Sequence, residues 1–261
     1  MLHASDQAAG LRRLFRQTPC PVMALFVAGR NPRQIAMETL HVLTDGARRV
    51  VALDEQSGSI SGLLTAFGYP EGTDLLAVLQ SGHSAADAAQ DVAEGLSVVP
   101  VAGTARAVRW LDSDLHGQLE TGITEFQRRA DLLLINSASA SDGLSPFVRA
   151  ASRRLLVVEA SGAGARAACQ WVKCLASAGA GSLEVAVSHA RDRADATALF
   201  ASLEDYTTRH VGLPLVWRGE VERDPLADAM TAPLGARHPA DEANAFLRRL
   251  RAWTTQAGVA G

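Results

Sequence analysis

The sequence predicts an α/β fold, a doubly wound and mostly parallel sheet with helices on both faces. Three observations carry that expectation. Short, β-branched apolar runs alternate with longer segments of helical period, and most of these runs lack polar alternation, as strands covered on both faces do. The chain of 261 residues is 48% hydrophobic and 20% charged, which suits one sizeable core.

In chain order, the expected strands are Val22 to Ala28, Arg49 to Leu53, Leu96 to Val99, Asp131 to Ile135, Arg154 to Val158, Glu184 to Val187 and Leu213 to Val216. Pro32 suits a first helical turn, Ile35, Ala36, Leu40 and Leu43 recur at core-facing spacing, and Gly46 is a plausible stop. Further helices are expected over Leu144 to Ala151, Ala163 to Ala178, Ala194 to His210 and Asp241 to Thr254. Arg109 to Arg129 packs a helix through Leu115, Leu119, Ile123 and Phe126, whereas the Ala- and Asp-rich stretch Gly82 to Glu94 is ambiguous. No repeat and no long linker divides the chain, so residues 20–261 read as one α/β domain preceded by a separate segment, residues 1–19.

Composition narrows the chemistry. Lys plus Arg number 25 against 28 acidic residues, a formal charge of −3, so no global basic field attracts nucleic acid or anionic lipid. Lys173 is the only lysine. The three cysteines, Cys20, Cys169 and Cys174, form no CxxC pair, and no two histidines share i,i+4 spacing, so neither a disulfide framework nor a metal site is expected. No apolar run is long enough for a signal peptide or a membrane span, and a cytoplasmic protein is expected.

In doubly wound sheets, ligands bind at the carboxyl ends of strands, so the turns there are the places to look. The first reads Gly29, Arg30, Asn31, Pro32, Arg33, Gln34. A phosphate cradle needs several glycines, whose backbone N–H groups converge on the anion, and a lysine; this turn has one glycine and none of the latter. The second turn carries Asp54, Glu55 and Gln56, where an acid can position water or magnesium or simply cap the next segment. After Leu132 to Ile135 the chain reads Asn136, Ser137, Ala138, and a neutral Asn136 holds a divalent cation far less well than an aspartate.

Taken in order, Val27 to Leu53 followed by Asp54, then GLSVVPVAG at Gly95 to Gly103, then ADLLLINSASASDGLSPFVRAASRRLLVVEA at Ala130 to Ala160, resemble the MinD/ParA family of deviant P-loop ATPases, and within it the FlhG/FleN branch. The similarity covers nearly the whole chain. The family's departures from this sequence fall on its chemistry. Its glycine-rich loop with two lysines is replaced by Gly29 to Gln34, its second switch aspartate by Gln56, its magnesium-linked aspartate by Asn136, and its adenine-contacting asparagine by Ser188. The resemblance therefore implies a pseudo-ATPase at Gly29, Arg30, Asn31, Arg33, Asp54, Gln56 and Asn136, binding neither ATP nor magnesium and forming no ATP-dependent homodimer. The rival within the same fold is a residual ATPase that uses Arg30 or Arg33, Asp54 and Lys173 in new roles.

The segment MLHASDQAAGLRRLFRQTPCP precedes the domain. Ser5 or Asp6 can cap a short helix with Leu11, Leu14 and Phe15 as its apolar stripe, and from periodicity alone a frayed helix folded on the domain is equally open. Asp6, Gln7, Ala8, Ala9, Gly10, Leu11 and Arg12 resemble the FlhG activator motif DQAxxLR. The resemblance implies stimulation of the signal-recognition-particle-type GTPase FlhF, with Gln7 ordering the attacking water, Asp6 and Ala8 beside it, and Leu11 and Arg12 as anchors. It further implies a role in flagellar placement or number, recruitment to the cell pole, and C-ring components or a transcription regulator as other partners. A degenerate scaffold for another polar machine is the alternative if the seven-residue match is accidental.

Remaining signals have plain structural readings. Gly162, Ala163, Gly164 and Arg166 form half a dinucleotide fingerprint that a tight turn explains, and the arginine doublets at 48–49, 128–129, 153–154 and 248–249 read as solvated edges rather than nucleic-acid contacts. Phe246, Leu247, Leu250 and Trp253 beside Arg248, Arg249 and Arg251 favour core packing over an interfacial membrane helix, leaving membrane association weak or indirect.

Overall fold

The computed structural model describes residues 20–45, 48–56, 62–138, 140, 143–231 and 239–255. The strands β1 (Val22–Ala28), β2 (Val50–Asp54), β3 (Gln90–Ala93), β4 (Leu96–Pro100), β5 (Leu132–Asn136), β6 (Arg153–Glu159), β7 (Leu183–Ser188) and β8 (Leu215–Glu220) form one sheet in the order β3-β4-β2-β5-β1-β6-β7-β8. Every pairing is parallel except that of β3 with β4. All seven expected strands are present, with ends shifted by up to a few residues.

The side-chain period of two splits each strand between two cores. From β1, Val22, Ala24, Phe26 and Ala28 enter one cluster, and Met23 and Leu25 enter the other. In the same way β5 sends Leu133 and Ile135 to the first face and Leu132 and Leu134 to the second. The uniformly apolar runs thus mark strands that are buried on both sides.

Ten helices are described: α1 (Pro32–Thr44), α2 (Leu63–Ala66), α3 (Leu75–Gln80), α4 (Ala102–Ala107), α5 (Ser113–Arg129), α6 (Pro146–Ala150), α7 (Gly162–Ser177), α8 (Arg193–His210), α9 (Leu226–Thr231) and α10 (Pro239–Thr255). The first face is covered by Leu75 and Leu79 of α3, Leu119, Ile123 and Phe126 of α5, Phe147 of α6, Trp171 and Leu175 of α7, Leu203 of α8, and Phe246 and Leu250 of α10. The second is covered by Ile35, Leu40 and Leu43 of α1, Leu63 and Leu64 of α2, and Leu226 and Met230 of α9. Phe246 has no exposed surface, and Arg149 of α6 lies 4.9 Å over the Trp253 ring, so α10 packs as a core helix.

The sequence reading missed β3, α2, α3, α4 and α9. The ambiguous stretch resolves into a 3-10 turn at Ala85–Ala88, boxed by Ser84 and Asp87, and then β3. β3 has two exposed residues and lies at the sheet edge, so its burial gives no long apolar run. At the other edge, the pairing of β7 with β8 shifts register between Val185 and Ala186. Gly219 sits there at φ +110, and a Cβ would meet the Asp224 carboxylate at 2.4 Å.

The reading of 153–154 as a solvated doublet is corrected. Arg153 is 3% exposed; its Nε donates to Glu184 Oε1 at 2.8 Å and its Nη2 to Glu184 Oε2 at 2.6 Å and to the Ala229 carbonyl at 2.9 Å. An arginine at that depth is tolerated because its donors meet a carboxylate and the carbonyls of α9. The expected stop at Gly46 lies outside the described residues.

Candidate functional site at the carboxyl edge of the sheet

The turns after β1, β2 and β5 meet above the middle of the sheet because β5 lies between β1 and β2. The first is shorter than its sequence suggests. Helix α1 begins at Pro32, so only Gly29, Arg30 and Asn31 separate it from β1, and Arg33 and Gln34 already lie in its first turn. Proline at the first helical position starts the helix early because its missing N–H has no intrahelical partner to lose.

That turn carries an internal anion. The Arg30 backbone N–H donates to Glu159 Oε2 at 2.6 Å, across from the end of β6. The carboxylate crowds Gly29, where a Cβ would fall 2.7 Å from Glu159 Oε2 and 2.5 Å from Ile35 Cδ1, so the position takes a hydrogen and nothing larger without displacement. Side chains of Arg30, Asn31 and Arg33 are exposed.

A second cluster forms where β2 runs beside β5 with Asp54 opposite Asn136. Asn136 Nδ2 donates to Asp54 Oδ1 at 2.8 Å, while the backbone N–H groups of Leu63 and Gln56 reach the same carboxylate at 2.6 and 3.2 Å. Asp54 is thereby spent on internal bonds, pinning the start of α2 to the end of β2. Beside it, buried Glu55 accepts from the Ser145 hydroxyl, and Gln56 Nε2 donates to the Ser137 carbonyl at 2.8 Å. Burial raises both carboxyls: Asp54 to about 6 against its hydrogen bonds from Leu63, Asn136 and Gln56, and Glu55 to about 7, with the Asp54 charge adding to the rise.

Beside these clusters lies a cavity of about 790 Å³, whose lining includes Asn31, Arg33, Gln34, Gln56, Asn136 and Gln170 along with Val27, Ala36 and Trp171. Asn31, Arg33, Gln56 and Asn136 are therefore brought together, with Asp54 bonded to Asn136 from the neighbouring strand and Gly29 and Arg30 at the turn. Lys173 is not among the lining residues; its Nζ sits 5.9 Å over the Tyr206 ring. Among the described residues no three His, Cys, Asp or Glu side chains are grouped as a metal site. Ser188 is buried at the end of β7, and its Oγ has no partner among the described residues.

Sequence reasoning missed Glu55, Ser145 and Glu159 as parts of the site. Glu55 was visible as an acidic neighbour of Asp54, and Glu159 as a lone acid closing an apolar run. Asp6, Gln7, Ala8, Leu11 and Arg12 lie outside the described residues. The Gly162 to Gly164 turn is structural: Ser161 caps α7 by accepting from the Gly164 N–H at 3.0 Å.

Among solved structures, the chain is similar over 90% of its length to the cell division protein MinD of Aquifex aeolicus, covering 97% of that chain at 17% identity with a TM-score of 0.52. An ATP complex of McdA from Cyanothece is similar at 18% identity and a TM-score of 0.50, over 90% of this chain and 96% of that one. The fold is that of the MinD and ParA ATPases. A ParA family ATPase from Chlorobium tepidum TLS matches 90% of this chain and 98% of its own at 14% identity and a TM-score of 0.50. No family model and no curated protein sequence matches the chain. On the MinD/ParA fold, the β1–α1 turn is where the resemblance places the phosphate loop. Here it is a three-residue turn whose Arg30 N–H is already taken by a carboxylate. No described helix is long and apolar enough to cross a membrane.

Proposed function

We propose that this chain is a non-hydrolysing, FlhG-like regulator of flagellar placement or number, whose N-terminal DQAxxLR segment stimulates GTP hydrolysis by an FlhF-type GTPase. The observation that carries the non-hydrolysing half is the Glu159 carboxylate seated on the Arg30 N–H. A magnesium nucleotide does not fit this turn: its phosphates would displace a resident anion, meet one glycine already crowded by Ile35 and Glu159, and find no lysine. Asn136, tied to Asp54, supplies a neutral amide where the family has a metal-linked acid. Calorimetry at millimolar ATP with magnesium is expected to give no saturable heat, and light scattering to give the same mass with and without ATP. A magnesium-dependent isotherm would remove the pseudo-ATPase reading.

The regulatory half rests on the Asp6 to Arg12 motif standing ahead of a MinD/ParA fold. A peptide spanning Met1 to Arg16 is expected to raise the turnover of an FlhF-type GTPase, ordering as it binds because so short a helix is marginal alone. Gln7→Ala should abolish most of the stimulation with little loss of binding, whereas Leu11→Asp should weaken binding itself by pressing a charge against an apolar groove. An unchanged GTPase rate at saturating peptide would sink the FlhF assignment and leave the fold as a scaffold for a different partner.

A further inference from the structure

Trp110 is 80% exposed, and the other large hydrophobic in that state among the described residues, Val216 at 37%, lies on β8 at the far edge of the sheet. Tryptophan is enriched among the side chains that anchor protein interfaces, so an indole this exposed is a candidate contact. Trp110 is also rigidly placed. It ends a 3-10 turn, Val108–Trp110, that continues directly from α4; Val108 is fully buried, Leu111 packs on the core, and Asp112 caps α5 by accepting from the Leu115 N–H at 2.8 Å.

Two arginines share that corner. Arg106 and Arg109 are exposed, stand four residues and one residue before Trp110, and form no ion pair among the described residues. Other surface arginines, such as Arg129, Arg191, Arg193 and Arg209, are paired to Asp or Glu. Tryptophan and arginine are the residue types that dominate binding hot spots, and a guanidinium without a partner selects a carboxylate. Arg106 further lines a cavity of about 230 Å³ with Asp54, Gln56 and Asp74, which joins the corner to the buried carboxylates of the candidate site.

We propose that the Arg106–Trp110 corner docks an acidic segment of a partner protein, with carboxylates on the two guanidinium groups and an apolar side chain over the indole. The surroundings favour a protein over the other anionic surfaces. Asp112 and Asp114 are exposed immediately beyond Trp110, so a flat anionic bilayer would be pressed against them. A single indole also offers less apolar surface than interfacial helices use, and two arginines on a chain of net charge −3 are few for a nucleic-acid backbone.

The test uses the full chain and a fluorescein-labelled synthetic peptide alternating glutamate and leucine, followed by anisotropy. Binding is expected, weakening as salt rises. Trp110→Ala, and separately the pair Arg106→Glu with Arg109→Glu, should each weaken it about tenfold or more. The melting temperature should hold, because all three side chains are exposed. A lysine–leucine peptide should not bind. The proposal is overturned if the glutamate peptide does not bind, if Trp110→Ala binds it as well as the parent chain, if the lysine peptide binds equally, or if phosphatidylglycerol vesicles bind through Trp110 in its place.

Discussion

Raising the pH from about 4.5 to 7.5 is expected to strip the domain of about 5 kcal/mol of stability, from the two buried carboxyls at the end of β2. Folding moves Asp54 from 3.8 to about 6 and Glu55 from 4.5 to about 7, because burial penalises their charged forms. The folded chain therefore binds more protons than the unfolded one between those values. The stabilisation is complete below the unfolded values and is lost as the pH rises through the folded ones. At about 1.4 kcal/mol for each pH unit of difference, each carboxyl contributes about 3 kcal/mol. The two are adjacent and titrate together, so the decline belongs to the pair. Urea denaturation at a series of pH values reads it directly, and Glu55→Gln, which keeps an acceptor for Ser145, should flatten the decline by roughly half. A pH profile of the same slope in the parent and in Glu55→Gln would refute the burial of that carboxyl. Such a decline is a large part of the roughly 5–15 kcal/mol that holds a domain together.

Arg153→Ala is expected to cost about 3–5 kcal/mol, the usual result of removing one member of a buried ion pair. Glu184 would be left with Arg218 alone, whose Nε reaches Oε2 at 2.6 Å, and the Ala229 carbonyl at the end of α9 would lose its donor. Burial by itself would raise the Glu184 carboxyl, and it is Arg153 and Arg218 that hold it below the usual carboxylate range. The double change Arg153→Met with Glu184→Leu should lose clearly less than Arg153→Ala, since it strands no buried charge. Thermal melts of the three proteins decide the matter. A double variant less stable than the single would mean that the pair contributes net stability.

The fold was legible because its strands are apolar on both sides. Leu132 to Ile135 and Leu155 to Val158 announce burial without any partner being known. β3 was not legible, because at the sheet edge Gln90 and Asp91 face water and only the pairing to β4 makes them a strand. The helices α2, α3, α4 and α9, with four to six residues each, are too short to show a period. At the site, Asn31, Arg33, Asp54, Gln56 and Asn136 could be picked out because each lies at a strand end or in the turn or helix start that follows one. Glu159 shows in the sequence only as a lone acid closing an apolar run, and its role was hidden because its partner Arg30 is 129 residues away in the chain. The 31-residue separation hid the Arg153 to Glu184 pair in the same way, and a doublet of arginines beside a strand gives no hint of depth.

An open parallel sheet presents backbone donors and acceptors along its outermost strands, which can template the stacking of further chains into fibrils. Here one border is a four-residue antiparallel strand whose Asp91 is tied to the Ser97 hydroxyl at 2.5 Å. The other is a strand knocked out of register at Gly219, whose neighbour Glu220 gives its N–H to Asp224 at 2.8 Å rather than leaving it to a newcomer. Neither border offers a long, flat run for another molecule to zip onto, so growth from the sheet edges is disfavoured in a chain this rich in apolar strands.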